Sequence, residues 1–161
     1  MNILVFLLVF CCHLSALELS EGESSNVMCL AINSYMEANT EPLLGKLAVS
    51  QVVLQRQFDK RYSSSICEVI QQGKNEEGCQ FSWMCDGKDN NIYFITKAQR
   101  TAWFNNLYAA KLMLSDNAPV IKEIIGATLY HRVDIHPWWV DSPKVHYMAT
   151  IYSHKFYYED P

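Results

Sequence analysis

The chain has 161 residues, half of them apolar and 19% charged, with a formal net charge of −4. That balance suits one globular domain with a real core and excludes a disordered or fibrous chain. The 13 Lys and Arg residues form no basic run, which argues against nucleic acid, whose phosphates demand many cations. Residues 1–16 stand apart: an apolar run from Ile3 to Phe10, then Cys11, Cys12, His13 and Leu14, then the small Ser15 and Ala16. This length fits a secretory signal, since a membrane span needs about 20 apolar residues. No Lys or Arg precedes the run, so a retained N-terminal membrane tether is the alternative. Either way, residues 17–161 are expected to work outside the cytoplasm, secreted or in the periplasm and cell envelope.

Loss of residues 1–16 would leave Cys29, Cys67, Cys79 and Cys85. An even set in an exported protein suggests disulfides. Four cysteines allow three pairings, and spacing alone does not choose among them. No C-x-x-C spacing points to zinc.

Residues 17–25 read as a polar, acidic lead-in, with Ser24 or Ser25 placed to cap a first helix. Val27, Leu30, Ala31 and Ser34 recur at helical spacing until Asn39 and Thr40 stop the pattern. Pro42 opens a second helix, where a proline costs little. Leu43, Leu44, Leu47, Ala48, Val52 and Leu54 are its expected buried stripe. A short helix over 65–71 should turn Ile66, Val69 and Ile70 inward. Residues 73–91 read as a long functional loop, interrupted by Gln80, Phe81, Ser82 and Trp83. Thr96 and Gln99 match a capping box. The helix they open should run to about Leu114, with Ala98, Ala102, Ala109, Ala110 and Met113 allowing close packing. Residues 145–152 then alternate as a strand, and 128–133 are its expected partner. No repeat or linker divides the chain. The expected fold is α+β: a mainly helical single domain with a small antiparallel sheet, of a lysozyme-like kind.

Glu37 is the residue with a chemical claim. It ends an apolar helix just before a turn, with Glu41 four residues on. Burial against apolar neighbours would disfavour its charged form and let it hold a proton near neutral pH. Its surroundings carry a resemblance. Ser34 to Pro42 reads S-Y-M-E-A-N-T-E-P and resembles the Y-A-E-A-R-G-E-P segment of the SleB-type cell wall hydrolases, the spore cortex-lytic family. The resemblance continues in order. Gly45 to Arg56 is similar to G-x-x-A-V-A-x-V-x-x-N-R, and Ser65 to Ile70 to S-I-C-x-V-I. Gln80 to Gly87 resembles Q-F-S-W-x-x-D-G. Gly126 to His131 resembles G-A-T-H-Y-H, with Pro137 and Trp139 following. Ser153 to Tyr157 resembles N-H-x-F-Y.

That resemblance implies peptidoglycan glycan strands as substrate, cut between muramic acid and glucosamine by a lytic transglycosylase. Glu37 falls on the family's catalytic glutamate. Glu41, Gln80, Phe81, Trp83, Tyr130, His131, His154 and Tyr157 would line the sugar groove. Neither cofactor nor metal is implied, and His131, His136, His146 and His154 match no standard ligand spacing. The chain is expected to act as a monomer. The resemblance also implies a Cys67–Cys85 bridge anchoring the long loop, with Cys29 and Cys79 paired or free. Three departures stand out: Asn39-Thr40 replaces Arg-Gly, removing a cation beside the acid; Leu129 replaces a His; and Tyr152-Ser153 replaces Gly-Asn. Two other functions remain open. One is a true hydrolase with Glu41 or Asp86 as second carboxylate; the other is an inactive peptidoglycan-binding protein.

Overall fold

The computed structural model describes residues 21–73, 81–88 and 90–161. The expectations for residues 1–20, Cys79 and Gln80 fall outside the described residues. Within them the chain builds helices α1 (Glu21–Ala38), α2 (Leu43–Gln57), α3 (Ile66–Gln71) and α4 (Lys97–Met113). Three strands follow, β1 (Leu129–Arg132), β2 (Val145–Ile151) and β3 (His154–Glu159), in an antiparallel sheet of order β1-β3-β2. The α+β expectation holds.

The first helix buries the stripe its spacing requires: Val27, Leu30, Ala31 and Ser34 all lie in the core. Ser24 and Ser25 do not cap it. They sit exposed within its first turns.

The second helix departs from its expected pattern. Leu43 and Leu44 are 42% and 44% exposed, whereas Gly45 to Val53 are buried without a break. The physical reason is position. This helix packs against α1, α3 and α4 and also touches β2, so it is covered on nearly every side and a single apolar stripe does not describe it. Its buried polar groups are bonded. The Gln51 amide donates to the Ile121 carbonyl (3.0 Å) and accepts from the Ile121 N–H (2.8 Å). One turn on, Gln55 brackets Ala127 and Gly126 in the same way. Arg56 Nε then donates to the Thr128 carbonyl over 2.7 Å. This ladder lays the segment before β1 along the helix.

Thr96 and Gln99 form the expected capping box at the start of α4. Ala109, Ala110 and Met113 are buried as expected, while Ala98 faces solvent.

The sheet holds a strand that the alternation did not reveal. β3 lies between the two expected strands and pairs with both, so residues 128–133 do not partner β2 directly. His154, Phe156 and Tyr157 are all buried, which erases the in-out alternation that marks a half-exposed strand.

The bridge implied by the resemblance is replaced by another. Cys29 on α1 bonds Cys67 on α3, with Cα atoms 5.3 Å apart. The two helices pack side by side, which brings their cysteines within bonding range. Cys85 is disulfide-bonded as well, but not to Cys67.

Candidate active site

Asn33 and Glu37 lie four residues apart and therefore share one face of α1. That face meets Arg56 from α2, Trp83 from the 3-10 turn Ser82–Met84, and Tyr130 from β1. Glu37 keeps an accessible edge, yet burial raises its carboxyl from an ordinary 4.5 to about 7. Desolvation is the dominant cause; the Tyr130 hydroxyl and the Arg56 charge pull the other way. At neutral pH this carboxyl is therefore split between its acid and its anion.

Tyr130 is the hub of the cluster. Its ring lies 5.4 Å from His154, 5.7 Å from Phe156 and 6.4 Å from Phe81. Its hydroxyl is buried without a well-formed hydrogen bond, but it faces Glu37 and Asn33. Burial, then the Glu37 charge, push the phenol well above its usual range, so it stays a donor. Asn33 is fully buried and accepts the Trp83 indole N–H over 3.2 Å. Arg56 is buried between two rings, 5.0 Å from the centre of Phe81 and 5.2 Å from that of Tyr62.

Glu41 occupies a different setting. The Ser153 hydroxyl donates to its carboxylate across the gap between the α1–α2 turn and the β2–β3 turn. His154 Nδ1 stands 4.0 Å from the same oxygen. Gly45 makes the fold-back possible, because a Cβ there would meet the Glu41 Cβ at 2.8 Å. His154 is buried with neither ring nitrogen bonded, and burial pushes its pKa down despite the Glu41 charge.

The structure thus brings together Glu37, Phe81, Trp83, Tyr130 and His154, with Glu41 behind His154. It does not bring His131 and Tyr157 to them. Successive residues of a strand face opposite ways, and His131 follows Tyr130. His131 Nε2 shares a hydrogen bond of 2.8 Å with the Tyr157 hydroxyl, and Trp139 packs against both rings at 5.5 Å, on the far side of the sheet. Trp138 is 86% exposed. Gln80 lies outside the described residues. Asp86 is exposed, tied to the Lys88 N–H at 3.0 Å and the Lys88 ammonium at 3.2 Å. The Lys88 N–H holds its carboxyl below the usual range. His136 and His146 pair at the surface with Asp141 and Asp160. Among the described residues no group of three His, Cys, Asp or Glu could hold a metal ion.

Three residues at this site were not singled out in the sequence. Asn33 carried a signal: it is a polar residue one turn before Glu37 on an otherwise apolar face. Arg56 carried another, as a cation closing an apolar helix. Lys46 is the third. Its buried ammonium donates to the carbonyls of Ala38 (2.8 Å), Asn39 (2.9 Å) and Glu41, which fixes the turn beyond Glu37.

Comparison with known families gives the class of protein this fold and site define. The chain matches the model of the cell wall hydrolase family over residues 40–157. It belongs to that family, the SleB-type hydrolases whose motifs it carries, and peptidoglycan is its class of substrate. The match begins three residues after Glu37, so the part assigned to Glu37 rests on its geometry and local motif. No curated protein and no solved structure matches the chain significantly.

Proposed function

We propose that this chain is a lytic transglycosylase that cuts peptidoglycan strands between muramic acid and glucosamine with Glu37 as its acid and base. The observation that carries the reading is the placement of Glu37, largely buried with Tyr130 and Arg56 around it, a setting that pushes its carboxyl up to about 7. A general acid works best with a pKa near the operating pH.

In this reading Glu37 gives its proton to the bridging oxygen as the glycosidic bond breaks. The carboxylate that results then takes the proton of the muramic 6-hydroxyl. That oxygen closes on the anomeric carbon and leaves a 1,6-anhydro end. The nucleophile belongs to the same sugar, so proximity replaces a second carboxylate. The Tyr130 hydroxyl would hold the carboxyl in place through both steps. Trp83, partly exposed and bonded to Asn33 one turn before Glu37, offers an aromatic face to a sugar ring.

Neither alternative carboxylate is well set as a base on water. Glu41 is engaged by Ser153 and faces His154, and Asp86 is engaged by Lys88 in an exposed turn. The wall lies outside the membrane, and a leader at residues 1–16 would deliver residues 17–161 there as a monomeric catalytic domain.

Mass spectrometry of products from purified wall is the test. A transglycosylase leaves anhydro ends lighter by one water than hydrolysed ends. Products that are all hydrated would reject the mechanism. Absence of any cleavage, with wall binding retained, would favour an inactive binding protein.

A further inference from the structure

The motif comparison left the acid without the cation expected at Asn39-Thr40. The structure supplies a cation from another element. Arg56 is buried at the end of α2, its Nε donating to the Thr128 carbonyl and its plane held between Tyr62 and Phe81. Its Nη1 is buried with no hydrogen-bond partner. No carboxylate pairs with it among the described residues at salt-bridge distance. A buried cation without a counter-charge is costly, so a charge that develops nearby has large leverage. Burial acts on it most strongly; of the groups around it Tyr62 and Tyr130 come first, and Glu37 is the nearer in effect of two carboxyls, ahead of Glu159.

We infer that Arg56 is a positioning residue for Glu37: the buried guanidinium stabilises the carboxylate that forms when Glu37 releases its proton. This rests on the reading of Glu37 as the acid. Burial keeps the proton on before reaction, and Arg56 favours the state after transfer. The two effects oppose each other throughout: burial holds the proton until reaction, and Arg56 limits what burial costs the carboxylate once the proton has left. The groups facing Glu37 are Arg56 from α2 and Tyr130 from β1, with His154 from β3 and Glu41 from the α1–α2 turn beyond Tyr130. Tyr62 and Glu159 face Arg56.

The experiment is an NMR titration of the Glu37 side-chain carboxyl and the Arg56 Nε–H in the folded chain, between pH 4 and 9. The parent should show the Glu37 midpoint near 7, with the Arg56 resonance moving at the same midpoint. In Glu37→Gln the Arg56 signal should no longer move there. Arg56→Gln should raise the Glu37 midpoint by roughly one pH unit or more, and Arg56→Lys should bring it back toward the parent value. The parent titration needs no change at Arg56, so it stands even if Arg56→Gln fails to fold. A Glu37 midpoint near 7 with a motionless Arg56 signal would overturn this inference alone. A Glu37 midpoint in the ordinary carboxylate range would overturn the acid assignment itself.

Discussion

The Lys46 ammonium donates to the Ala38 carbonyl over 2.8 Å, one residue beyond Glu37. With its bonds to Asn39 and Glu41, it gathers three carbonyls of the helix end and the turn after it, where the Ala38 carbonyl also accepts the Glu41 N–H over 3.0 Å. The positive charge also suits the negative end of the helix. Lys46 therefore ties the end of α1 to the turn that follows Glu37. Lys46→Met should keep the buried stem but lose these bonds. We expect a stability loss of about 2 to 3 kcal/mol by urea unfolding, with a larger fall in wall cleavage than the unfolded fraction explains. An unchanged unfolding midpoint would refute that role.

Tyr152 sits at a φ of 51° in the turn joining β2 to β3, where the family motif carries Gly. A side chain pays about 1 to 2 kcal/mol in that region. Glycine relieves the strain, though its unfolded-state entropy offsets part of the gain. Tyr152→Gly should thus stabilise the chain by about 0.5 to 1 kcal/mol, read as a higher melting temperature. A drop in melting temperature would mean that the half-exposed ring contributes packing that outweighs the strain.

The Cys29–Cys67 bridge closes a loop with a sequence separation of 38 residues. Chain entropy assigns such a closure about 4 kcal/mol. Cys29→Ser and Cys67→Ser should each lose stability on that scale. Non-reduced peptide mapping should find these two cysteines in one linked pair. A fragment joining Cys67 to Cys85 would contradict the arrangement.

Much of the helical layer was legible because local chemistry set it. The Thr96–Gln99 box, the stop at Asn39-Thr40 and the apolar spacing of α1 all act within a few residues. The misreadings share a cause, which is burial from more than one side. α2 is wrapped by three helices, so Leu43 and Leu44 at its open end looked more buried than they are. β3 is covered on both faces, so it showed no alternation. The motifs pointed to Glu37, Phe81, Trp83, Tyr130 and His154, and the fold gathers these five around one face of α1. Arg56 offered only the signal of a cation late in α2, because its approach to Glu37 depends on how α2 crosses α1. His131 and Tyr157 lie apart from that group for a strand-level reason. They neighbour site residues in sequence, and strand geometry turns them to the other face.

Glu37 also writes a signature into stability. Its folded pKa of about 7 lies above the ordinary 4.5, so the folded state holds this proton more tightly than the unfolded chain does. The contribution is fully present below about pH 4.5 and is lost as pH rises toward 7. The full span corresponds to about 3 kcal/mol. Glu37→Gln removes the titration while keeping the shape. The variant's stability should therefore fall less than the parent's between pH 4.5 and 8, and the variant should be the more stable protein at pH 8. Catalysis should move the opposite way. Glu37→Gln should lose about 100- to 10,000-fold in wall clearing, while Glu41→Gln should lose far less if the muramic 6-hydroxyl is the nucleophile. Parent activity should decline above pH 7, approaching tenfold per unit, as the proton to be donated is lost. Equal inactivation by Glu37→Gln and Glu41→Gln would point to a two-carboxylate hydrolase. Near-parent clearing by Glu37→Gln would remove Glu37 from the chemistry altogether.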